Sequence, residues 1–493
     1  MASQKDNYEP PFVVALDVGS SSIRAMVFDS DGRQIEGLQT EVEHHTKTTH
    51  DGGAVFDADA IAQRTIECVA ALQEKKAFRH CRKRVAAVGC SMFMHSLVGT
   101  DRAGHACTPL YTWSDTRSRD TLAGSRLDRK AIHQRTGCPL HTSYPLAKLL
   151  WLRREQSGLF RRAHCWLSMG DYLYLQLFGR PTLSLSMASG SGLLDFRKLQ
   201  WDATLLRTVG IREGQLGELV DCDDASNGPR GKFRRALGCL AGVPWFPAMG
   251  DAVCSNIGSD CVDDSRFALN LGTSGAMRSM FRRVPSGIPD GLFCYRVDRQ
   301  RLLLGGAISN CGNLRRWLLH TMQLGRRAEM DSALARMSPD SHGLTMLPFL
   351  AGERAPLWPN DATGAILGLR SATTPSDIAR AGCDAVCYQL TMIHERLTYA
   401  LPRAKKIVVS GGGSSTDWWM QMMADTMNTP VQLSLVKEAS SRGAALLALE
   451  ALGIHGTTTS KSGKTYGPNA HRGQVYRRAL QRYKELCDQW SKQ

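Results

Sequence analysis

At 493 residues the chain is too long for a single hydrophobic core, so two large domains are expected. With 43% hydrophobic and 22% charged residues it has the composition of an ordinary globular chain, with no push toward disorder, and no apolar run reaches the length of a transmembrane helix. The net charge of +15 invites a nucleic-acid partner, but the basic runs at 82–84, 126–130 and 230–235 are scattered and lack interleaved aromatics, a helix-turn-helix pattern or a zinc finger; they read as solvated faces, and what remains is a positive potential suited to an anionic small substrate.

The start, MASQKDNYEPP, lacks the charged-then-apolar order of a secretory signal, and the end is not a Ser-Lys-Leu address, so a cytoplasmic location is expected. The first element is FVVALDVGSSSIRAMVFDSDGRQIEG, residues 12–37: a buried strand, an acid, a glycine, three serines and a second strand. Residues 266–283, RFALNLGTSGAMRSMFRR, repeat the plan, with Asp17-Val18-Gly19-Ser20-Ser21 matching Asn270-Leu271-Gly272-Thr273-Ser274 position for position. A match offset by half the chain predicts two domains of one design, 1–257 and 258–493. Further on, Thr374 and Pro375 open a long helix to residue 400, with Ile378, Val386, Leu390, Ile393 and Leu397 at helical spacing. Then KKIVVSGGGSSTDWWMQMMADTMNTPVQ reads strand, glycine turn, helix, strand; residues 456–470 read as a mobile loop, and an amphipathic helix closes the chain. Strands alternating with helices indicate an α/β fold. The fifteen cysteines, scattered and without a C-x-x-C pair, read as reduced thiols.

A glycine followed by Ser or Thr in a tight turn presents hydroxyls and amides at one point and lets a phosphate come close. A plain hairpin has the same composition. Two such turns, one from each half, can hold a triphosphate between them. Asp17 then stands where a carboxylate can hold Mg²⁺. Gly411-Gly412-Gly413 after the strand IVVS suits a nucleotide, without the spacing of a Walker-type site. A hydroxyl acceptor needs a carboxylate within reach. Asp251, in AMGDAVCSNIGS just ahead of the second turn, supplies one and also reads as a helix N-cap.

These pieces, in this order, resemble the FGGY carbohydrate kinases, relatives of actin, hexokinase and the seventy-kilodalton chaperones. DVGSSSIR, GDAVCSNIGS, NLGTSGA and VVSGGGSSTDWWMQMMAD carry the likeness, which extends over essentially the whole chain. Within the family it is to the gluconokinases, through SMFMHSLVGTD, YTWSDTRS and LPFLAGERAPLWPNDATGAILGL. The resemblance implies two ribonuclease-H-like domains with an interdomain cleft, and ATP-dependent phosphorylation of a sugar or sugar acid, D-gluconate above all, by a monomer or homodimer using ATP and Mg²⁺. Another polyol or ketose, such as xylulose, ribulose or glycerol, is the alternative acceptor, and a non-catalytic nucleotide-binding scaffold on the same fold is the alternative role. By position, Asp251 would be the general base and Asp17 the Mg²⁺-associated carboxylate. Ser20, Ser21, Ser22 and Arg24 would line the first phosphate turn, and Gly272 and Thr273 the second. Gly312, Arg316, Gly411, Gly412, Gly413 and Thr416 would approach the nucleotide. Met94, His95, Trp113 and Asp115 fall on the sugar side. Ser20 and Ile23 stand where the family often has threonines, and Cys90-Ser91-Met92-Phe93 replaces the glycine and glutamine common in xylulose kinases.

Blander roles stand beside these. His95 and Trp113 read equally as packing residues. His44, His45 and His50 read as a polar loop, Cys383 and Cys387 as core thiols, and Glu353 and Arg354 as a pair bonded to each other or to the domain interface.

Overall fold

In the computed structural model, which describes residues 8–350, 352–359, 362–456 and 462–490, each of the two matching stretches founds a mixed sheet. Phe12–Val18 is buried at every position, as a central strand covered on both faces requires. It pairs antiparallel with Ser22–Phe28, which pairs antiparallel with Gln34–Glu43. On its other side it runs parallel to Val85–Met92, and that strand parallel to Trp245–Gly250. The second sheet repeats this order with Leu302–Ile308, Gly275–Phe281, Arg266–Leu271, Lys406–Ser410 and Val431–Ser434, and adds Phe293–Arg296 and Ser462–Tyr466 at its two edges. Helices cover both sheets, giving the expected α/β pair of ribonuclease-H-like halves.

Pro375–Ala400 forms as its sequence predicts, with Thr374 and Asp377 closing a capping box and Pro375 in the first turn. The expected loop at 456–470 is corrected in part. Residues 457–461 lie outside the described residues, but Ser462–Tyr466 is an edge strand paired antiparallel with Val431–Ser434. Its polar composition hid it, since an edge strand needs no apolar face toward solvent and Lys464 is held by Asp417 at 2.6 Å. Gly411–Gly413 does not open a helix directly: a short 3₁₀ turn, Gly412–Ser415, precedes Asp417–Met427. All fifteen cysteines are free thiols, and Cys383 and Cys387 are buried in the core of the second half.

The halves meet through backbone. Asp251–Gly258 follows the last strand of the first sheet and crosses Ala439–Ala451 of the second half, which also lies on Phe12–Val18 and Val85–Met92. A Cβ on Gly258 would stand 1.8 Å from the Ala439 carbonyl oxygen, one on Gly443 1.9 Å from that of Cys254, and one on Gly89 2.2 Å from that of Ala444. Only glycine permits these approaches. Around them Val13, Met26, Val253, Ile257, Leu303, Ala444 and Ala448 form an apolar cluster drawn from both halves.

Candidate active site

The two matching turns face one cleft. The Gly19 amide donates to the Ser22 carbonyl at 3.0 Å and the Gly272 amide to the Ser274 carbonyl at 3.0 Å, so the glycine amides close the turns and leave Ser20, Ser21 and Thr273 exposed. The amides of Gly312 and Asn313 donate to the carbonyls of Gly272 and Thr273 at 3.0 and 3.1 Å, which pins the second turn to the start of the helix Gly312–Thr321. A Cβ at 312 would come within 2.6 Å of the Gly272 oxygen, so this seam also needs glycine.

Between the halves lies a cavity of about 200 Å³. Ser20, Met94, His95, Trp113, Ser143, Tyr144 and Asp251 line it from the first half, and Ser274, Ala276, Arg278, Tyr295 and Arg354 from the second. Through Ser20, Trp113, Ser274 and Arg354 it adjoins a larger space that reaches Ser21, Asn270, Gly272 and Thr273. That space shares Gly272 and Thr273 with a third pocket, about 320 Å³, lined by Gly312, Arg315, Arg316, Gly412, Gly413 and Trp419. The three form one continuous cleft.

Asp251 is the first residue of its helix, and the capping position belongs to Gly250, which corrects the N-cap expectation. Among the described residues its Oδ1 accepts only from the adjoining Ala252 amide, at 2.8 Å. Burial raises its pKa, opposed by the charges of Arg278 and then Arg354. Asp17 is the last residue but one of the central strand, behind the first turn. Burial raises its pKa to about 6; the Ser91 hydroxyl opposes this and the nearby Asp251 carboxylate adds to it.

The cavity floor is aromatic and joins the halves, with the hydroxyls of Tyr144 and Tyr295 2.8 Å apart. His95 has a left-handed backbone, φ +65°, and its Nδ1–H donates to the Gly190 carbonyl at 2.7 Å. Its ring lies edge-on to Tyr144, 4.9 Å between centroids, and burial depresses its pKa to about 3, so it is a neutral wall residue that also packs. Trp113 lines the cavity with the Arg354 guanidinium 4.7 Å above its ring.

Several expected residues do not reach the cleft. Ser22 is buried at the start of its strand. Arg24 forms ion pairs with Glu41 at 2.8 Å and Glu438 at 3.3 Å. Asp115 is buried, accepting from the Ala54 amide at 3.0 Å and from Arg117 at 2.5 Å. Gly411, at φ +91°, abuts the Leu271 backbone, and buried Thr416 accepts from Arg315 at 3.2 Å. Glu353 and Arg354 are bonded to each other through the Arg354 amide, which donates to Glu353 Oε1 at 2.7 Å, but their side chains part: Glu353 also accepts from the Ser309 amide and Gln389, both at 2.8 Å, while the Arg354 guanidinium donates to the Ile308 carbonyl at 3.0 Å. His44 lies in the expected loop, after Gln34–Glu43, but it is buried against Phe56, with both ring nitrogens unpartnered among the described residues. The group with metal-ligand geometry among the described residues is Asp221, Cys222 and Asp223, away from the cleft.

Sequence reasoning missed Arg278, Arg315 and Trp419. Arg315 lies 4.8 Å over the Trp419 ring in the third pocket. The available signal for Arg278 was an arginine in the middle of a strand, GAMRSMF, that is otherwise apolar and small.

Two sheets of one plan closing on a shared cleft define the actin- and hexokinase-type fold. The chain belongs to the FGGY family of carbohydrate kinases, whose N-terminal domain matches residues 12–258 and whose C-terminal domain matches residues 268–452. It is thus an ATP-dependent sugar kinase. It is similar to the gluconokinase of Bacillus subtilis (strain 168), 27% identical over 456 residues that cover 90% of this chain and 88% of that one. Among solved structures it is similar to the xylulose kinase of Lactobacillus acidophilus, with TM-score 0.89, 26% identity and coverage of 97% and 98% of the two chains. It is also similar to the gluconate kinase of Lactobacillus acidophilus, with TM-score 0.88, 25% identity and coverage of 98% and 99%. Among the described residues no helix is long and apolar enough to cross a membrane.

Proposed function

We propose that the protein transfers the γ-phosphoryl group of ATP to the primary hydroxyl of D-gluconate, giving 6-phospho-D-gluconate. The observation that carries this reading is the shared cavity of Asp251 and Ser20, continuous through Thr273 with the pocket of Gly312 and Gly412. An acceptor beside Asp251 lies on the path from the phosphate turns. Asp251 takes the hydroxyl proton as general base, and its raised pKa suits it to do so near neutral pH. Ser20, Ser21 and Thr273 hold the phosphates, Gly312, Arg316, Gly412 and Gly413 take the nucleoside end, and Met94, His95 and Trp113 shape the acceptor side.

Mg²⁺ suits the donor set at Asp17, a buried carboxylate whose pKa is raised by burial and by a second carboxylate, because a cation there relieves both. When bound it supplies neutralisation of charge on the phosphoryl group. Closure of domains 1–257 and 258–493 over the cleft excludes water and limits ATP hydrolysis.

Gluconate is supported by the gluconokinase relatives and by the net positive charge. A ketose acceptor is the second reading, since the xylulose kinase fold matches as well as the gluconate kinase fold; against it stands Cys90-Ser91-Met92-Phe93 before Met94. The test is ADP release from ATP and Mg²⁺ with gluconate, xylulose, ribulose and glycerol. Gluconate is expected to give the highest kcat/KM, and a higher value for any of the other three overturns the assignment.

A further inference from the structure

We propose that Arg278 selects the acceptor by its carboxylate, so that the enzyme takes linear sugar acids whose primary hydroxyl meets Asp251 while the acid end meets this guanidinium. The inference rests on the kinase reading above and extends it from one compound to a class.

Arg278 is 7% exposed, yet its Nε has no hydrogen-bond partner among the described residues. A buried guanidinium left in this state is costly unless a ligand supplies the missing anion. Its stem crosses the neighbouring strand where there is no side chain: a Cβ on Gly305 would lie 2.6 Å from Arg278 Cγ. The strand is therefore shaped to carry the arginine into the cavity. The anionic group acting on it is Asp251, opposed by the like charge of Arg354. Among the described residues Asp251 and Arg278 make no ion pair although both line one cavity, so they flank space for an acceptor. Arg354, whose Nε is likewise without a hydrogen-bond partner among the described residues, differs from Arg278 in that its guanidinium donates to the Ile308 carbonyl and stacks on the Trp113 ring.

A guanidinium receives a carboxylate through two parallel N–H···O bonds, a geometry that an ammonium does not reproduce. A neutral polyol of equal length leaves Arg278 unpaired in a desolvated site and is rejected for that reason. A phosphoryl oxygen of the nucleotide has the same chemistry, and the acceptor comparison separates the two sources.

The experiment is steady-state ADP release at pH 8 by the wild-type protein, Arg278→Met and Arg278→Lys, with gluconate and with sorbitol, its neutral counterpart. Circular dichroism and unfolding midpoints check the fold, and calorimetry measures gluconate binding without ATP. In Arg278→Met the ratio of kcat/KM for gluconate to that for sorbitol is expected to fall by about 100-fold, mostly through the KM for gluconate, with the KM for ATP unmoved. Arg278→Lys recovers part of the ratio. Equal losses for both acceptors, or a raised KM for ATP, assign the arginine to the phosphoryl group and overturn the proposal, as does an unchanged KM for gluconate. If the wild-type protein prefers a different sugar acid and Arg278→Met loses it, this inference stands and gluconate falls. If gluconate is the preferred acceptor and Arg278→Met keeps it, the kinase reading stands and this inference falls.

Discussion

The two halves share a strand order and a turn, and they differ by one residue in that turn. In the first, Val18 pairs with Ile23 and residues 19–22 make the bend; in the second, Leu271 pairs with Gly275 and residues 272–274 suffice. Side chains alternate along a strand, so a one-residue change in register reverses every face. The shorter turn sets Asn270 opposite Ala276 and puts Arg278 two places further on the same face, where both line the cleft. With a bend of the first half's length, Asn270 would face Met277 and Arg278 would point into the apolar core. The longer turn instead sets Asp17 opposite Arg24, whose guanidinium is taken by Glu41 and Glu438. One design thus yields a half rich in carboxylates for proton and cation chemistry and a half that supplies a cation and the nucleotide pocket.

The division of labour can be broken in order of expected effect. Asp251 directly follows its strand, whereas in the second half Leu435 follows Val431–Ser434 and the acid at the start of the next helix, Glu438, is paired with Arg24. Asp251→Asn should therefore cut kcat by about 10³-fold in a coupled ADP assay, with the KM for ATP nearly unchanged. Next comes the seam: Gly258→Ala puts a Cβ 1.8 Å from the Ala439 oxygen and should destabilise the protein by about 3 kcal/mol in urea unfolding.

Making the first turn resemble the second, through Asp17→Asn, should lower activity but raise stability. The folded-state pKa of Asp17 lies at about 6 against 3.8 for an ordinary aspartate, so both states are protonated below 3.8, and the cost of its buried charge builds up as pH rises from 3.8 to 6 and is complete above that. Asparagine removes that cost, about 3 kcal/mol at neutral pH. The unfolding midpoint of the variant should exceed wild type at pH 7.5, and the difference should shrink toward pH 4. The smallest effect is on the acid limb of kcat/KM, set by ionisation of Asp251 above the usual carboxylate range. Because the Arg278 charge holds that pKa down, Arg278→Met should move the limb to higher pH and Arg278→Lys should move it less.

The match between Asp17–Ser21 and Asn270–Ser274 foretold the duplicated sheets, and Thr374-Pro375 the helix behind them, because both signals are local. The cleft was legible where the chain itself forms its edge: Ser20, His95, Trp113, Asp251, Gly272 and Gly412 all line it. Arg24 and Asp115 stand at positions the resemblance marks, but partners distant in sequence, Glu438 and the Ala54 amide, hold them elsewhere. Arg278 stayed hidden because its direction depends on turn length, which shows only once the strands are paired.

The glycine crossing between the halves turns the helix Asp251–Gly258 into a lever. Its eight residues span on the order of 12 Å, with the fulcrum against Ala439 and the carboxylate at the far tip. A swing of about 10° at the fulcrum displaces the tip by on the order of 2 Å, further than a proton acceptor can stray without losing most of its rate. The aim of the base is therefore set by the angle between the halves, and an added methyl group at 258 or 443 would detune turnover from the far end of the helix.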